Sequence, residues 1–176
     1  MAGKVFNNRP ISVMIDSGTT FSHFPAIYLE NILLNISMYC RKNSHLCGKI
    51  PNPNFQPDSC IELHKPDSNY SSVDELLNSF PNVEIFLDEA ERPYILKPKN
   101  YFYEEYLSKK ERKKGLTRLC LALKGEAHGR VILGAFSMID YYFYFDRKDK
   151  KVKIFKENCY LKTSQIMNKH YNLQSN

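Results

Sequence analysis

The first patterned stretch of the chain is a short apolar run that ends in an acidic turn. Residues Ile11 to Ile15 are apolar apart from Ser12, which is typical of a buried strand. The run leads into Asp16-Ser17-Gly18-Thr19-Thr20, where small hydroxyl residues flank a glycine turn. Such a turn can hold a carboxylate rigidly against its own backbone amides. For the tripeptide Asp-Ser-Gly alone, an ordinary turn at a strand end is the better interpretation, because this triplet occurs in many turns.

Helical spacing follows the acidic turn. We expect a helix to begin at Pro25 and to run through about Tyr39, because proline is favoured in the first turn of a helix. Its apolar residues include the i, i+3, i+4 spacing of a buried face: Ile27, Leu29, Ile32, Leu33, Leu34, Ile36 and Met38. Residues 40–60 are rich in Pro and Asn and predict a long irregular segment. A short helix is predicted over Val73 to Phe80, capped by Ser71 or Ser72.

From Pro81 onward the pattern changes from helical to strand-like. Alternating residues predict two hairpins, with two further strands and one helical turn between them. The predicted segments are Val83 to Leu87 with Arg92 to Lys97, then Leu116 to Leu123, a polar turn Lys124 to His128, Gly129 to Leu133, a helical turn Phe136 to Asp140, and Tyr141 to Asp146 with Lys151 to Phe155. The chain is therefore predicted to be mainly β with a few short helices.

Length and composition indicate a folded domain. A chain of 176 residues can bury a real core, and 43% hydrophobic content with 12 Tyr and 11 Phe excludes a disordered chain. The net charge is +6, and much of the excess lies in Lys109 to Lys114 and in Arg147 to Lys153. We interpret both segments as solvated turns between strands, the first with its own Glu111. No basic helix interleaved with aromatic residues accompanies them, so we expect no nucleic-acid partner.

The five cysteines indicate disulfides more than metal binding. They form no CxxC pair and have no histidine at zinc spacing, so we expect neither a metal site nor a cofactor. A Cys40–Cys47 bridge would close a short loop in the irregular segment. Disulfides and two glycosylation sequons, at Asn35 and Asn69, agree with an oxidising compartment, and we expect the secretory pathway. The odd cysteine count leaves one thiol that is either free and buried or bonded to another polypeptide.

No signal peptide heads the sequence, and no apolar run is long enough to span a bilayer. A cysteine pattern of secretory type without a signal suggests that this sequence begins within a longer protein. Membrane anchoring is expected only if it lies outside this chain.

Taken in order, the motifs resemble the C-terminal lobe of the pepsin-like aspartic proteases. They are the Asp16 to Thr20 loop, the helix opened by Pro25, Phe80-Pro81-Asn82-Val83-Glu84-Ile85, Tyr94-Ile95-Leu96-Lys97-Pro98 followed by Tyr101, Val131-Ile132-Leu133-Gly134, and the closing hairpin from Tyr141 to Phe155. The resemblance implies the C-terminal lobe of the bilobal pepsin-like acid protease fold over residues 1–163, with a polar tail over 164–176. The form Asp-Ser-Gly-Thr-Thr-Phe is most similar to the plasmepsin V, nepenthesin and memapsin type.

The resemblance also implies roles for particular residues. Asp16 would be a catalytic aspartate, held by the Gly18 amide and the Thr19 hydroxyl, and Ser17 would form a hydroxyl grip on the other lobe. Gly18, Thr20 and Ile132 would contact a polypeptide substrate. The resemblance pairs Cys60 with Cys120 as the disulfide of the lobe itself. In the resembling branch a late cysteine bonds to the first lobe, so Cys159 would await an absent partner.

The chain contains half of the expected catalytic pair. No second Asp-Thr/Ser-Gly occurs in the sequence. The resemblance therefore implies an aspartic endopeptidase whose second aspartate is carried by a missing N-terminal lobe, the isolated chain being inactive. Two alternatives remain open: a non-catalytic pepsin-like binding or structural module, and a homodimer in which two copies of Asp16 form a symmetric pair.

Overall fold

The computed structural model describes residues 11–64, 70–88 and 90–156, and these residues are mainly β as the sequence predicted. They form two units, the first ending at Ser137 and the second beginning at Met138. The strands are β1 (Val13–Ile15), β2 (Ser22–Pro25), β3 (Cys60–His64), β4 (Val83–Ile85), β5 (Tyr94–Leu96), β6 (Phe102–Glu104), β7 (Leu116–Leu121), β8 (Leu123–Glu126), β9 (Val131–Leu133), β10 (Tyr141–Asp146) and β11 (Lys151–Lys156). The α-helices are α1 (Ala26–Lys42), α2 (Val73–Asn78), α3 (Pro98–Tyr101) and α4 (Lys109–Lys113).

The first unit contains a four-stranded sheet with the strand order β1-β9-β2-β8. β9 runs parallel to β1 and antiparallel to β2, and β2 runs parallel to β8. β1 and β2 are consecutive in the chain, yet β9 lies between them. The turn that joins β1 to β2, residues 16–21, must therefore pass over the end of β9.

Helix α1 packs against β2 and β8 and supplies much of the core. Leu29, Leu33 and Ile36 are almost completely buried, at i, i+4 and i+7. Burying each of these side chains contributes about 1.5–3 kcal/mol relative to leaving it in water. The helix ends three residues later than expected, with Arg41 and Lys42 in its last turn, where positive charge is favoured. The other apolar positions of the pattern include exposed residues: Ile27, Leu34 and Met38.

Two disulfides hold the first unit. The short bridge, Cys40–Cys47, links the end of α1 to a 3-10 helix over Cys47–Lys49. The long bridge, Cys60–Cys120, joins residues that lie directly opposite each other on β3 and β7, in a three-stranded sheet with the order β3-β7-β6. Both bridges join the pairs named in the sequence analysis.

The irregular segment 50–59 is fixed to the core by Phe55. Its ring meets those of Phe80 and Phe102 edge to face, with centroids 6.1 and 6.0 Å away. The Phe55 amide also donates to the buried Ser37 hydroxyl at 2.9 Å. Aromatic packing and one buried hydrogen bond thus order a stretch that has no regular structure of its own.

The second unit contains the antiparallel hairpin of β10 and β11, in register from Tyr141 opposite Lys156 to Asp146 opposite Lys151. Asp146 Oδ1 accepts from the amides of Lys148 and Asp149, each at 3.1 Å, and so closes the turn. The hairpin was predicted within one residue of its bounds.

Several local predictions were wrong. The segment 124–126, predicted as a polar turn, belongs to β8, because pairing with β2 outweighs its polar composition. The strand predicted over Leu116 to Leu123 breaks at Ala122, where the chain passes from the three-stranded to the four-stranded sheet. The first basic segment is not a turn but forms α4.

Other predictions were shifted in extent. β1 is less buried than expected, because it is an edge strand of its sheet, and Met14 is 37% exposed. The helical turn is a 3-10 helix over Ala135–Met138. Ser72 caps α2, its side chain accepting from the Glu75 amide.

Candidate active site

Asp16 follows β1 directly, and both of its carboxylate oxygens are engaged by the turn that comes after it. Oδ1 accepts from the Gly18 amide at 2.9 Å, and Oδ2 accepts from the Thr19 hydroxyl at 2.6 Å. The Thr19 amide donates to the Asp16 carbonyl at 3.2 Å, which closes the turn. The side chain is half-buried and retains access to solvent. These are the two contacts that the sequence analysis expected for this carboxylate.

Hydrogen bonds from distant parts of the chain hold the same turn. The Asp16 amide donates to the Leu133 carbonyl at 3.0 Å. The amides of Ala135 and Phe136 donate to the carbonyls of Thr19 and Thr20, at 2.8 and 3.1 Å. The turn is therefore tied at both of its ends to β9 and to the residues that follow it.

Gly134 allows this close approach. A Cβ added to Gly134 would lie 2.3 Å from the Phe21 carbonyl oxygen and 2.8 Å from that of Thr19. The Gly134 amide donates to the buried hydroxyl of Ser22 at 3.1 Å. The acidic turn thus rests on a glycine at the end of β9, where only a hydrogen atom fits.

These contacts lower the pKa of Asp16. The Thr19 hydroxyl contributes most and the Gly18 amide next, and together they hold the pKa of this carboxyl below its ordinary value despite an opposing contribution from desolvation. Hydrogen bonds to the ionised form favour that form. The turn therefore favours the ionised form of this carboxylate.

The remaining site residues of the sequence analysis lie in the acidic turn and on β9. Ser17, Gly18 and Thr20 are exposed. Ile132 is half-buried at the centre of β9, opposite Met14 of β1.

Met14 and His23, which the sequence did not single out, are the strand partners of Ile132. Met14 lies two residues before the acid, and His23 faces Ile132 from β2. The three side chains share one face of the sheet, because directly paired residues project to the same side. The strand pairing that brings them together has no local signal in the sequence.

The modification candidates lie elsewhere. Asn35 is exposed on α1, and its side chain donates to the Asn31 carbonyl at 2.6 Å. Ser37 of the same sequon is buried and donates to the Leu33 carbonyl at 2.7 Å. The sequon is therefore helical in the folded chain. Asn69, Cys159 and the polar tail 164–176 lie outside the described residues.

No cluster of three or more His, Cys, Asp or Glu side chains in the described part of the chain is arranged to hold a metal ion. Within residues 11–64, 70–88 and 90–156, none of the helices has the length and apolar character needed to cross a bilayer.

The arrangement can take part in acid–base chemistry. A carboxylate that is held in place by two hydrogen bonds is positioned to take part in proton transfer. Asp16 is the only residue of the sequence that stands in an Asp-Ser/Thr-Gly turn.

Comparison with known proteins shows which family contains this acidic turn. The model of the eukaryotic aspartyl protease family matches residues 1–156, which include the acidic turn, Gly134 and the closing hairpin. No curated protein matches the chain significantly. The match extends over most of the 176 residues, and members of this family are peptide hydrolases. The chain therefore belongs to the eukaryotic aspartyl protease family.

Proposed function

We propose that this chain is the C-terminal half of an aspartic endopeptidase and supplies one catalytic aspartate, Asp16. The second aspartate would come from an N-terminal lobe outside these 176 residues. The observation that supports this most directly is the clamp on Asp16, in which Gly18 and Thr19 each hold one carboxylate oxygen. An ordinary surface turn does not need both oxygens fixed.

Two carboxylates about 3 Å apart cannot both ionise easily, so they share one proton. In the proposed reaction, the ionised carboxylate takes a proton from a water molecule, which attacks the carbonyl carbon of the scissile peptide. The protonated carboxyl donates its proton to the developing oxyanion, which gives a tetrahedral diol. The carboxyl that took the proton from water then gives it to the peptide nitrogen, the C–N bond breaks, and the other carboxylate takes back a proton from the diol as the new carboxylic acid forms. The hydrogen bonds that lower the pKa of Asp16 favour Asp16 as the ionised member of the pair. Because the two carboxylates would titrate together, the apparent pKa values would belong to the pair as a whole.

The exposed side of the turn fits the proposed substrate and partner contacts. Thr20 and Gly18 would meet the backbone of a polypeptide, and Ser17 would bond to the opposing lobe. Ile132, with Met14 beside it, would offer an apolar surface to a substrate side chain next to the scissile bond. Gly18 and Thr20 lie within four residues of Asp16, and Ile132 pairs with Met14, two residues before the acid, so we expect one bound peptide to contact them all.

The branch and the compartment are part of the proposal. The Asp-Ser-Gly-Thr-Thr-Phe form favours the plasmepsin V, nepenthesin and memapsin type, with Cys159 bonded to the other lobe. Two disulfides support an oxidising compartment, and hence the secretory pathway or the cell exterior. A glycan at Asn35 would have to be attached before α1 folds, because Ser37 of the sequon is buried.

The test is peptide hydrolysis by the two-lobed protein. The chain is produced together with its N-terminal lobe, and a peptide library is assayed between pH 3 and 7 with and without a pepstatin-type inhibitor. Asp16→Asn should lower kcat at least about 1,000-fold, because removal of one member of a catalytic pair disables the whole pair. Asp149→Asn removes the same charge from the exposed hairpin turn and should leave kcat unchanged.

Three outcomes would contradict the proposal. Hydrolysis that is insensitive to Asp16→Asn would place the chemistry elsewhere. A correctly folded two-lobed protein without any hydrolysis would favour a binding or structural module. Activity of the isolated 176-residue chain at concentrations where it dimerises would favour a symmetric pair.

A further inference from the structure

The basic segment after β6 is arranged differently from a solvated turn. Residues Lys109–Lys113 form α4, and Ser108 caps it. The Glu111 amide donates to the Ser108 hydroxyl at 3.3 Å, while the Glu111 carboxylate accepts from the Ser108 amide and hydroxyl at 3.0 and 2.6 Å. This reciprocal pair is a capping box, which fixes where the helix begins.

The capping box directs the acidic group of the segment inward. Glu111 Oε2 serves the cap, and Oε1 lies 3.8 Å from the Arg118 guanidinium of β7. Arg118 also binds Glu105 and Glu62, so three carboxylates meet at one guanidinium. The negative charge of Glu111 is thus directed mainly to the helix start and to β7, and Lys114 interacts with it more weakly.

Four lysines of α4 and of the residue after it lie within one arc around the helix axis. At about 100° per residue, Lys109, Lys113, Lys110 and Lys114 lie at about 0, 40, 100 and 140° around the axis, and Glu111 lies at about 200°. The Lys114 amide still donates to the Glu111 carbonyl at 3.0 Å, so this residue continues the turn. All four are exposed, and within the described residues none of them forms an ion pair. We call Lys109, Lys110, Lys113 and Lys114 the lysine face.

We propose that the lysine face binds a linear sulfated polysaccharide. Four ammonium groups within an arc of about 140° match a polymer that carries closely spaced anionic groups. Lysine acts as a compact point charge and does not require the planar fork that arginine offers to carboxylates. The expected ligand is therefore recognised by charge density along its length.

The surroundings of the lysine face favour this ligand over a membrane. A basic segment that binds lipid normally adds apolar side chains that enter the bilayer. Leu107, just before the cap, is only 4% exposed, so among the described residues of this stretch Tyr106 is the one large exposed side chain with apolar character, which is too little to anchor the segment in a bilayer. The choice of a polysaccharide over a nucleic acid rests on the proposed secretory location, whereas the lysine face itself does not depend on the proposed catalysis.

The experiment measures binding of a heparin octasaccharide to the full 176-residue chain by calorimetry at 50, 100 and 200 mM salt. In the test variant, Lys110→Gln and Lys113→Gln remove two charges from the lysine face. In the control variant, Lys148→Gln and Lys151→Gln remove two exposed charges from the β10–β11 hairpin. Glutamine is a good helix former, so α4 should persist, and thermal unfolding of both variants verifies that the fold is intact.

We expect the test variant to bind at least tenfold more weakly and the control variant to lose less than twofold. The slope of log K against log salt should fall to about half in the test variant, because that slope counts the ionic contacts. The desulfated octasaccharide should not bind.

Four results would overturn the proposal. Equal losses in the two variants would show a response to net charge alone. Binding of the desulfated octasaccharide would exclude sulfate recognition. Binding to phosphatidylserine vesicles but not to the octasaccharide would identify the face as a membrane contact. Absence of binding at 50 mM salt would exclude a polyanion ligand altogether.

Discussion

Replacing Gly134 by alanine should loosen the acidic turn while leaving its own residues unchanged. The new Cβ would lie 2.3 Å from the Phe21 carbonyl oxygen and 2.8 Å from that of Thr19. The φ of Gly134 lies outside the left-handed region, so glycine is required here for space and not for an unusual backbone angle. Because carbon atoms pack at about 3.5–4.0 Å, the turn would have to move by roughly 1 Å.

The energetic cost follows from the contacts that this movement disturbs. Two hydrogen bonds cross the same interface, from Ala135 to Thr19 at 2.8 Å and from Phe136 to Thr20 at 3.1 Å. Each contributes about 1 kcal/mol net, and overpacking adds about 1–3 kcal/mol. We expect Gly134→Ala to lower the free energy of unfolding by about 3–5 kcal/mol, a large share of the 5–15 kcal/mol typical of a domain.

Gly125→Ala is the matched control. Gly125 lies in β8 of the same sheet, and a Cβ added there meets nothing within 4 Å. The same chemical change should therefore alter the free energy of unfolding by less than about 1 kcal/mol. Urea unfolding of both variants, followed by turnover in the two-lobed protein, measures the difference. If the two variants unfold within 1 kcal/mol of each other, the close approach at Gly134 does not support the turn.

Four further predictions concern the acidic turn, its support by Ser22, and the disulfides. Thr19→Val should raise the pKa of Asp16 toward its ordinary value in an NMR titration, whereas Thr20→Val should not. Because folding lowers the pKa of Asp16, its ionised form stabilises the fold at pH values above the unfolded-state pKa. This stabilisation is lost as the pH falls through the folded-state pKa. The urea midpoints of wild type and Asp16→Asn should therefore converge in acid. Ser22→Ala should cost about 1–3 kcal/mol in urea unfolding, because the buried amide of Gly134 loses its acceptor. Loss of the long bridge should cost about 4 kcal/mol and loss of the short bridge about 2.5 kcal/mol, since the closed loops differ in length; equal urea midpoints for the two double-serine variants would contradict this.

The elements that could be predicted are those with a local signal. Leu29, Leu33 and Ile36 repeat at helical spacing. β10 and β11 are rich in aromatic and branched apolar residues and lie on either side of a charged turn. The hairpin pairs residues that are close in sequence, and the helical repeat is itself a local pattern, although α1 packs partly against the distant strand β8. The order of the motifs identified the family, and the family match covers the same stretch.

Some of the elements that were missed depend on distant partners. β8 consists of Leu-Lys-Gly-Glu, a composition that favours a turn. It is a strand because it pairs with β2, which lies about 100 residues earlier in the chain. The basic segment from Lys109 was missed for a different reason, because its signal is local. Its lysines suggested a solvated turn, although Ser108 and Glu111, three residues apart, form the capping box that begins the helix. A pattern of charge does not reveal which carboxylate is already engaged.

The acidic turn combines both kinds of information, and this explains why its tripeptide is a weak signal by itself. The local part, from Gly18 and Thr19 to the Asp16 carboxylate, could form in any Asp-Ser-Gly-Thr turn. The distant part consists of the bonds from the turn to β9 and of the space left by Gly134, and it exists only because β9 lies between β1 and β2. A turn with only the local bonds could pivot as a unit, whereas a turn tied to β9 cannot move without breaking the sheet. A carboxylate that must meet a partner within about 3 Å needs that second restraint, so Gly134, more than 100 residues away, is as much a part of the site as the residues beside Asp16.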